Sequence, residues 1–234
     1  MDEGLSDVLE KSDRLFEDCK FEEAVQLLKP HVNSNKFEVL WRAARAINAL
    51  FKELIGSQSK KANALIPEGF QIASTLLEKY PQESKTHQYY AIFLGQKAEI
   101  DGVRKQILSL TTILDHIKKA RELDPQDPLG WHLEGNFYEK LCSLQWFEKK
   151  FAAALIPDLQ WPSYDDALRC LLKAEELKPN FSSLNLYLIG KVYYGMKDYD
   201  SARSVLERVI NWKPVRTADD RFSIAAARKL QQKL

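Results

Sequence analysis

The chain has 234 residues and balances 34 Lys and Arg against 33 Asp and Glu, for a formal net charge of +1. At 45% hydrophobic and 29% charged residues, with only nine glycines and nine prolines, it is neither a disordered nor a low-complexity sequence. Near-neutrality excludes a global basic field that would draw it to nucleic acid or lipid, so electrostatic binding has to come from a local patch.

Taken in chain order, the apolar residues fall into helix pairs. The first pair sets Val8, Ser12 and Leu15 against Ala24 and Leu28 around a turn at Asp18-Cys19-Lys20-Phe21. The second sets Leu40, Ala44 and Ile47 against Ala73, Leu77 and Tyr80, and the third sets Ala91 and Leu94 against Ile113, Ile117, Ala120 and Pro125. In the fourth, Trp131, Gly135 and Tyr138 precede Ala167, Leu171, Ala174 and Pro179, and about twenty residues, roughly Leu141 to Trp161, intervene. The most regular unit is 183–216: Leu186, Ile189, Gly190 and Tyr193, then Ala202, Leu206, Val209 and Pro214.

Large and small residues alternate in this unit because two antiparallel helices approach most closely at Gly190 and Ala202, with Leu186, Tyr193 and Leu206 filling the space around that contact. The pattern is that of a TPR repeat, with Val209 larger than the usual small residue. Residues 217–234 open with Thr217-x-x-Asp220, a capping-box spacing, and read as a helix that covers the last repeat. No segment shows sustained period-two alternation. The expected fold is therefore an all-α, TPR-like helical-repeat solenoid, one domain over 1–234 of about five helix pairs, with a C-terminal capping helix.

The insertions read as lengthened helices, since 102–116 and 141–156 are helix-compatible throughout. Pro157 to Pro162 is a loop, after which Ser163 and Asp166 restart a helix. Trp146, Phe147 and Trp161 lie in the largest insertion, either as a satellite core beneath the loop or as an exposed anchor for a partner.

Chemistry-bearing motifs are absent. His31, His87, His116 and His132 fall in four different helices with no ligand spacing, so no metal is expected. No phosphate-cradling Gly-rich loop or nucleophile elbow occurs, so no catalytic residue or cofactor is assigned and the chain is read as a non-enzyme. Asp165-Asp166 and Asp219-Asp220 sit in first turns of helices, where they cap free N–H groups. Cys19, Cys142 and Cys170 read as reduced thiols of a cytoplasmic protein. The acidic start Met1-Asp2-Glu3-Gly4 does not resemble a signal peptide, and the longest apolar run, Phe151 to Ile156, is far short of the ~18 residues of a membrane span.

The concave wall of a solenoid is lined by its first helices. Counting outward from the small residues, the groove-facing set is Trp41, Arg45, Gln88, His132, Asn136, Lys140, Tyr187, Lys191 and Tyr194. Lys140, Lys149, Lys150, Lys191 and Arg45 form a basic patch within or beside it. Such a set is either a solvated helix face or a groove for an extended acidic peptide.

Several stretches resemble the regulator of microtubule dynamics family: Leu40-Trp41-Arg42-Ala43-Ala44-Arg45-Ala46, His87-Gln88-Tyr89-Tyr90-Ala91-Ile92, and above all Trp146-Phe147-Glu148-Lys149-Lys150 with Ala152, then Pro162-Ser163-Tyr164 and Ala167-Leu168. The resemblance continues through Pro179-Asn180-Phe181 and Leu188-Ile189-Gly190-Lys191. It implies association with tubulin and microtubules, a place on the cytoskeleton, spindle and spindle poles, and a part in chromosome segregation. From the residues alone, a general TPR peptide adaptor and a lipid-binding TPR module stand beside it.

Overall fold

The computed structural model describes residues 3–234; Met1 and Asp2 of the acidic start lie outside the described residues. Every regular element among them is helical. The chain divides between His116 and Ile117 into two compact units.

The first unit begins with α1 (Glu3–Glu17) and α2 (Phe21–Leu28), joined through a left-handed Cys19, and a short 3-10 turn, Lys29–Ser34. It continues with α3 (Phe37–Ile55), α4 (Ser59–Lys79), α5 (Ser84–Asp101) and α6 (Val103–Leu108). Its core includes Ala24 and Leu28, Leu40, Ala44 and Ile47, Ala73 and Leu76, and Phe93, all fully or almost fully buried, with Leu5 and Leu9 of α1 packed in the same cluster. The expected pairing of the second repeat holds, with Leu76 rather than Leu77 as the buried leucine. The insertion there does lengthen helices: α3 has 19 residues and α4 has 21.

Elsewhere the insertions make new helices, which corrects the expectation of helix throughout 102–116 and 141–156. Gly102 has φ of 98°, a conformation that L side chains rarely adopt, and it ends α5; α6 then follows, and α7 (Leu110–Leu123) starts after Ser109. In the second unit α8 (Pro128–Cys142) stops before α9 (Trp146–Leu155). The reason is local: the Gln145 side chain accepts from the Glu148 N–H while the Glu148 carboxylate accepts from the Gln145 N–H at 2.7 Å. This reciprocal cap nucleates a separate helix.

The remaining elements are α10 (Tyr164–Leu177), α11 (Ser183–Gly195), α12 (Tyr199–Ile210) and α13 (Ala218–Gln231). Asp127, Ser163, Ser182, Asp198 and Thr217 each cap the helix that follows, so the helix starts are written in side-chain oxygens. The paired carboxylates behave as caps: Asp166 serves Ser163, and Asp220 accepts from the Arg216 and Thr217 N–H groups and from Ser183 Oγ at 2.6 Å. Burial alone would raise the Asp220 carboxyl, but hydrogen bonds from Ser183, Thr217 and Arg216 outweigh it and hold the group below its ordinary value. The core of this unit is Ala167, Leu171, Leu186, Ile189, Val192, Leu206, Val209 and Ala227, so α13 closes the last pair as a capping helix.

Candidate partner-binding face

In the first unit, Trp41 is buried in a cage of cations rather than presented to solvent. The Arg42 and Arg45 guanidiniums lie 4.3 and 4.9 Å from its ring centre and Lys85 Nζ 4.7 Å, while its Nε1–H donates to Glu38 at 2.9 Å. Arg42 and Arg45 both donate to Asp13 of α1. Burial would raise the Asp13 carboxyl, yet the two guanidiniums prevail and lower it. Arg45 is thus a neutralised cation that also stacks on Phe16, and Gln88 is buried at 1% exposure. Helix periodicity put these residues on one face but could not show that α1 already covers it.

The histidines hold a contact that the sequence spacing hid. His87 Nδ1 and His116 Nδ1 lie 2.7 Å apart, and His87 Nε2 lies 2.8 Å from the Pro81 carbonyl. A carbonyl only accepts, so His87 carries its proton on Nε2, and its Nδ1 accepts from His116 Nδ1–H. Tyr90 packs on the His116 ring at 4.6 Å. Burial first, and His87 second, push the His116 pKa below 6.5, against a smaller opposing pull from Asp115. A base whose folded pKa is depressed contributes its full stability above 6.5, and that contribution is lost as pH falls below it, where the unfolded chain binds the extra proton. Lowering the pH from 7.5 to 5.5 therefore reduces the melting temperature by a component that His116→Gln removes. Identical pH profiles for the two proteins would contradict this. Among the described residues no cluster of three or more His, Cys, Asp or Glu side chains is arranged to hold a metal ion.

In the second unit, α8, α11 and α13 build a mixed face. His132 is buried, with Nδ1 3.0 Å from Asn185 Oδ1, and Asn185 donates to the Leu171 carbonyl; both act as internal ties between helices. Asn136 is half-buried and Lys140 exposed. Lys191 meets the residue next to Lys140: its Nζ lies 2.8 Å from Glu139 Oε1 and 3.0 Å from Oε2, and Glu139 is 1% exposed. Lys191 is therefore a counter-ion of a buried carboxylate. Tyr187 and Tyr194 are half-buried, Tyr187 edge-on to Phe222 of α13 at 5.9 Å and Tyr194 tilted against Tyr199. Phe222, which is exposed, belongs to this face and was not in the sequence-derived set; the capping helix supplies it, and first-helix counting leaves that helix out.

A cleft of about 700 Å³ opens between the end of α7, α8 and α10. Its cations are matched internally: Arg121 to Glu134 at 2.7 Å, Arg169 to Asp166 at 3.0 Å and Lys173 to Glu176 at 2.7 Å. Burial pushes the Cys170 thiol at its wall up to about 12, so it is no nucleophile at neutral pH.

The α9 insertion settles a choice the sequence left open. Trp146, Phe147 and Trp161 are exposed, not a satellite core, whereas Leu141, Ala152 and Leu159 are buried. Lys149 Nζ donates to the Cys142 carbonyl at 3.1 Å, and Lys150 Nζ lies 5.0 Å from the Trp146 ring centre. The basic patch thus separates into exposed Lys140 and Lys150, half-buried Lys149, and internally paired Lys191 and Arg45.

The family model for "Regulator of microtubule dynamics protein 1-3" matches residues 8–234. Regulator of microtubule dynamics protein 1 from Bos taurus is 31% identical over 217 residues, covering 93% of this chain and 68% of that protein. Regulator of microtubule dynamics protein 3 from Rattus norvegicus is 33% identical over 226 residues, covering 94% of this chain and 48% of that protein. Among solved structures, a thermophilic TPR protein of Thermus thermophilus superposes with a TM-score of 0.63 at 16% identity, covering 96% of this chain and 98% of that one, which bears on the fold alone.

Proposed function

Because this chain belongs to the regulator of microtubule dynamics protein 1-3 family, we propose that it is a non-enzymatic binding protein that associates with microtubules and modulates their dynamics. Its place in the cell is then the cytoplasm and cytoskeleton, including the spindle and spindle poles, with a part in chromosome segregation. The family match over almost the whole chain carries this reading. The surface is compatible with it: exposed Lys140 and Lys150 can attract flexible, carboxylate-rich tails of tubulin, and Tyr187, Tyr194 and Phe222 offer aromatic surface to aliphatic side-chain stems. Each exposed contact is weak, so a repeating polymer lattice, which multiplies contacts, is the natural partner.

Co-sedimentation tests the proposal. The protein pellets with intact microtubules, less with tail-cleaved ones, and less as salt rises. Lys140→Glu/Lys150→Glu weakens pelleting on the order of ten-fold, since exposed charges contribute modestly and reversal adds repulsion. Unchanged pelleting of the folded double variant would place the contact elsewhere. Binding to soluble peptides with none to polymer would favour a general TPR adaptor.

A further inference from the structure

Helix α9 departs from the amphipathic logic of the rest of the fold: its aromatic side chains face outward, while Ala152 packs inward. Trp146 is 69% exposed, Phe147 57% and Phe151 47%. At about 100° per residue these three, with exposed Ala153 and Ala154, span one continuous face of the helix. The charges that would normally interrupt such a face are withdrawn from it. Glu148 is spent on the helix cap and Lys149 on the Cys142 carbonyl, and both are half-buried. Lys150 alone among the charged residues of α9 shares the outer face, with its ammonium over the Trp146 ring.

An exposed Trp-Phe-Phe face that carries a cation and withholds its carboxylate is complementary to a layer that is anionic at its surface and apolar a few ångströms beneath. Tryptophan and phenylalanine partition into that boundary, and a lysine stem extends along it to leave the ammonium at the headgroups. A glutamate-rich peptide would satisfy Lys150 but leave the three aromatic rings in water. The other insertion helix repeats the chemistry independently: α6 exposes Val103 and Leu108 with Arg104 and Lys105, and contains no carboxylate. No described helix is long and apolar enough to cross a membrane.

We propose that the outer face of α9 docks peripherally on an anionic phospholipid bilayer, with Trp146, Phe147 and Phe151 entering the interface and Lys150 at the headgroups.

The test uses the whole chain with vesicles of phosphatidylcholine alone and of phosphatidylcholine with phosphatidylserine. Binding to the anionic vesicles is expected, with Trp emission shifting to the blue and quenching by brominated acyl chains. Trp146→Phe retains binding and loses much of the quenching. Trp146→Ser/Phe147→Ser/Phe151→Ser lowers partitioning at least ten-fold; its circular dichroism and its pelleting with microtubules match the parent's, which keeps this proposal separable from the microtubule reading. Absence of binding to anionic vesicles, or equal binding by the triple variant, overturns the proposal. A concentration-dependent dimer that the triple variant abolishes overturns it too, because the face would then be a self-contact.

Discussion

Replacing Lys191 by methionine is expected to destabilise the fold by about 3 kcal/mol, the lower end of what removing one partner from a buried ion pair costs, because Lys191 itself is partly exposed. Methionine keeps most of the aliphatic stem, so packing changes little and the loss is electrostatic. What remains is the Glu139 carboxylate, 1% exposed, with the Ser143 hydroxyl as a donor where an ammonium had bridged both oxygens. At 1% exposure it has little water to take the ammonium's place. Urea unfolding followed by tryptophan fluorescence measures the effect as a lower midpoint. The control is Glu139→Met with Lys191→Met: removing both charges recovers much of the loss, since an apolar pair of similar volume tolerates burial. If Lys191→Met unfolds at the parental midpoint, Lys191 is an ordinary surface cation and belongs back in the basic patch.

Gly190→Leu is the second large effect. A Cβ built on Gly190 would lie 2.7 Å from Leu206 Cδ2 and 2.8 Å from Leu206 Cγ, and Leu206 is completely buried, with no open space to swing into. The substitution gains up to about 1 kcal/mol of helix propensity. Against this stands an overpacked α11–α12 contact, worth about 3 kcal/mol or more because all four added carbons must find room. The expected result is a net loss of at least about 2 kcal/mol in urea unfolding. Gly56→Ala supplies the contrast: nothing lies within 4 Å of its Cβ position, so its midpoint stays at or slightly above the parent's. A Gly190→Leu protein with parental stability would contradict the helix register on which the repeat assignment rests.

That register was legible from the sequence because a small residue at fixed spacing has a single physical use, the closest approach of two helices. Gly135 against Leu171 and Gly190 against Leu206 follow it. The helix starts were legible for a similar reason. Ser163, Asp166, Thr217 and Asp220 satisfy N–H groups within one turn of themselves, so no distant information is needed to place them. The Gln145–Glu148 cap is equally local, since both of its hydrogen bonds close within one turn.

The candidate face was less legible, because periodicity tells which side of a helix a residue occupies but not which side chain stands opposite. One step along a helix rotates a side chain by about 100°, and that step is the difference between Lys191 beside Lys140, a basic patch, and a half-buried Lys191 that neutralises the buried Glu139. His87 and His116 lie 29 positions apart in sequence, yet they share one hydrogen bond, which depends on the path of the chain through Gly102. The outward turn of Trp146, Phe147 and Phe151 is of the same kind: composition alone places aromatic residues in a core. The sequence by itself determined the helices of the repeat pairs, most of their caps and their close contacts, all of which are short-range or strictly periodic. Only the tertiary structure decided which charges are cancelled, which histidines meet and which aromatic residues are left in water, because those outcomes depend on the relative rotation of helices that no local pattern encodes.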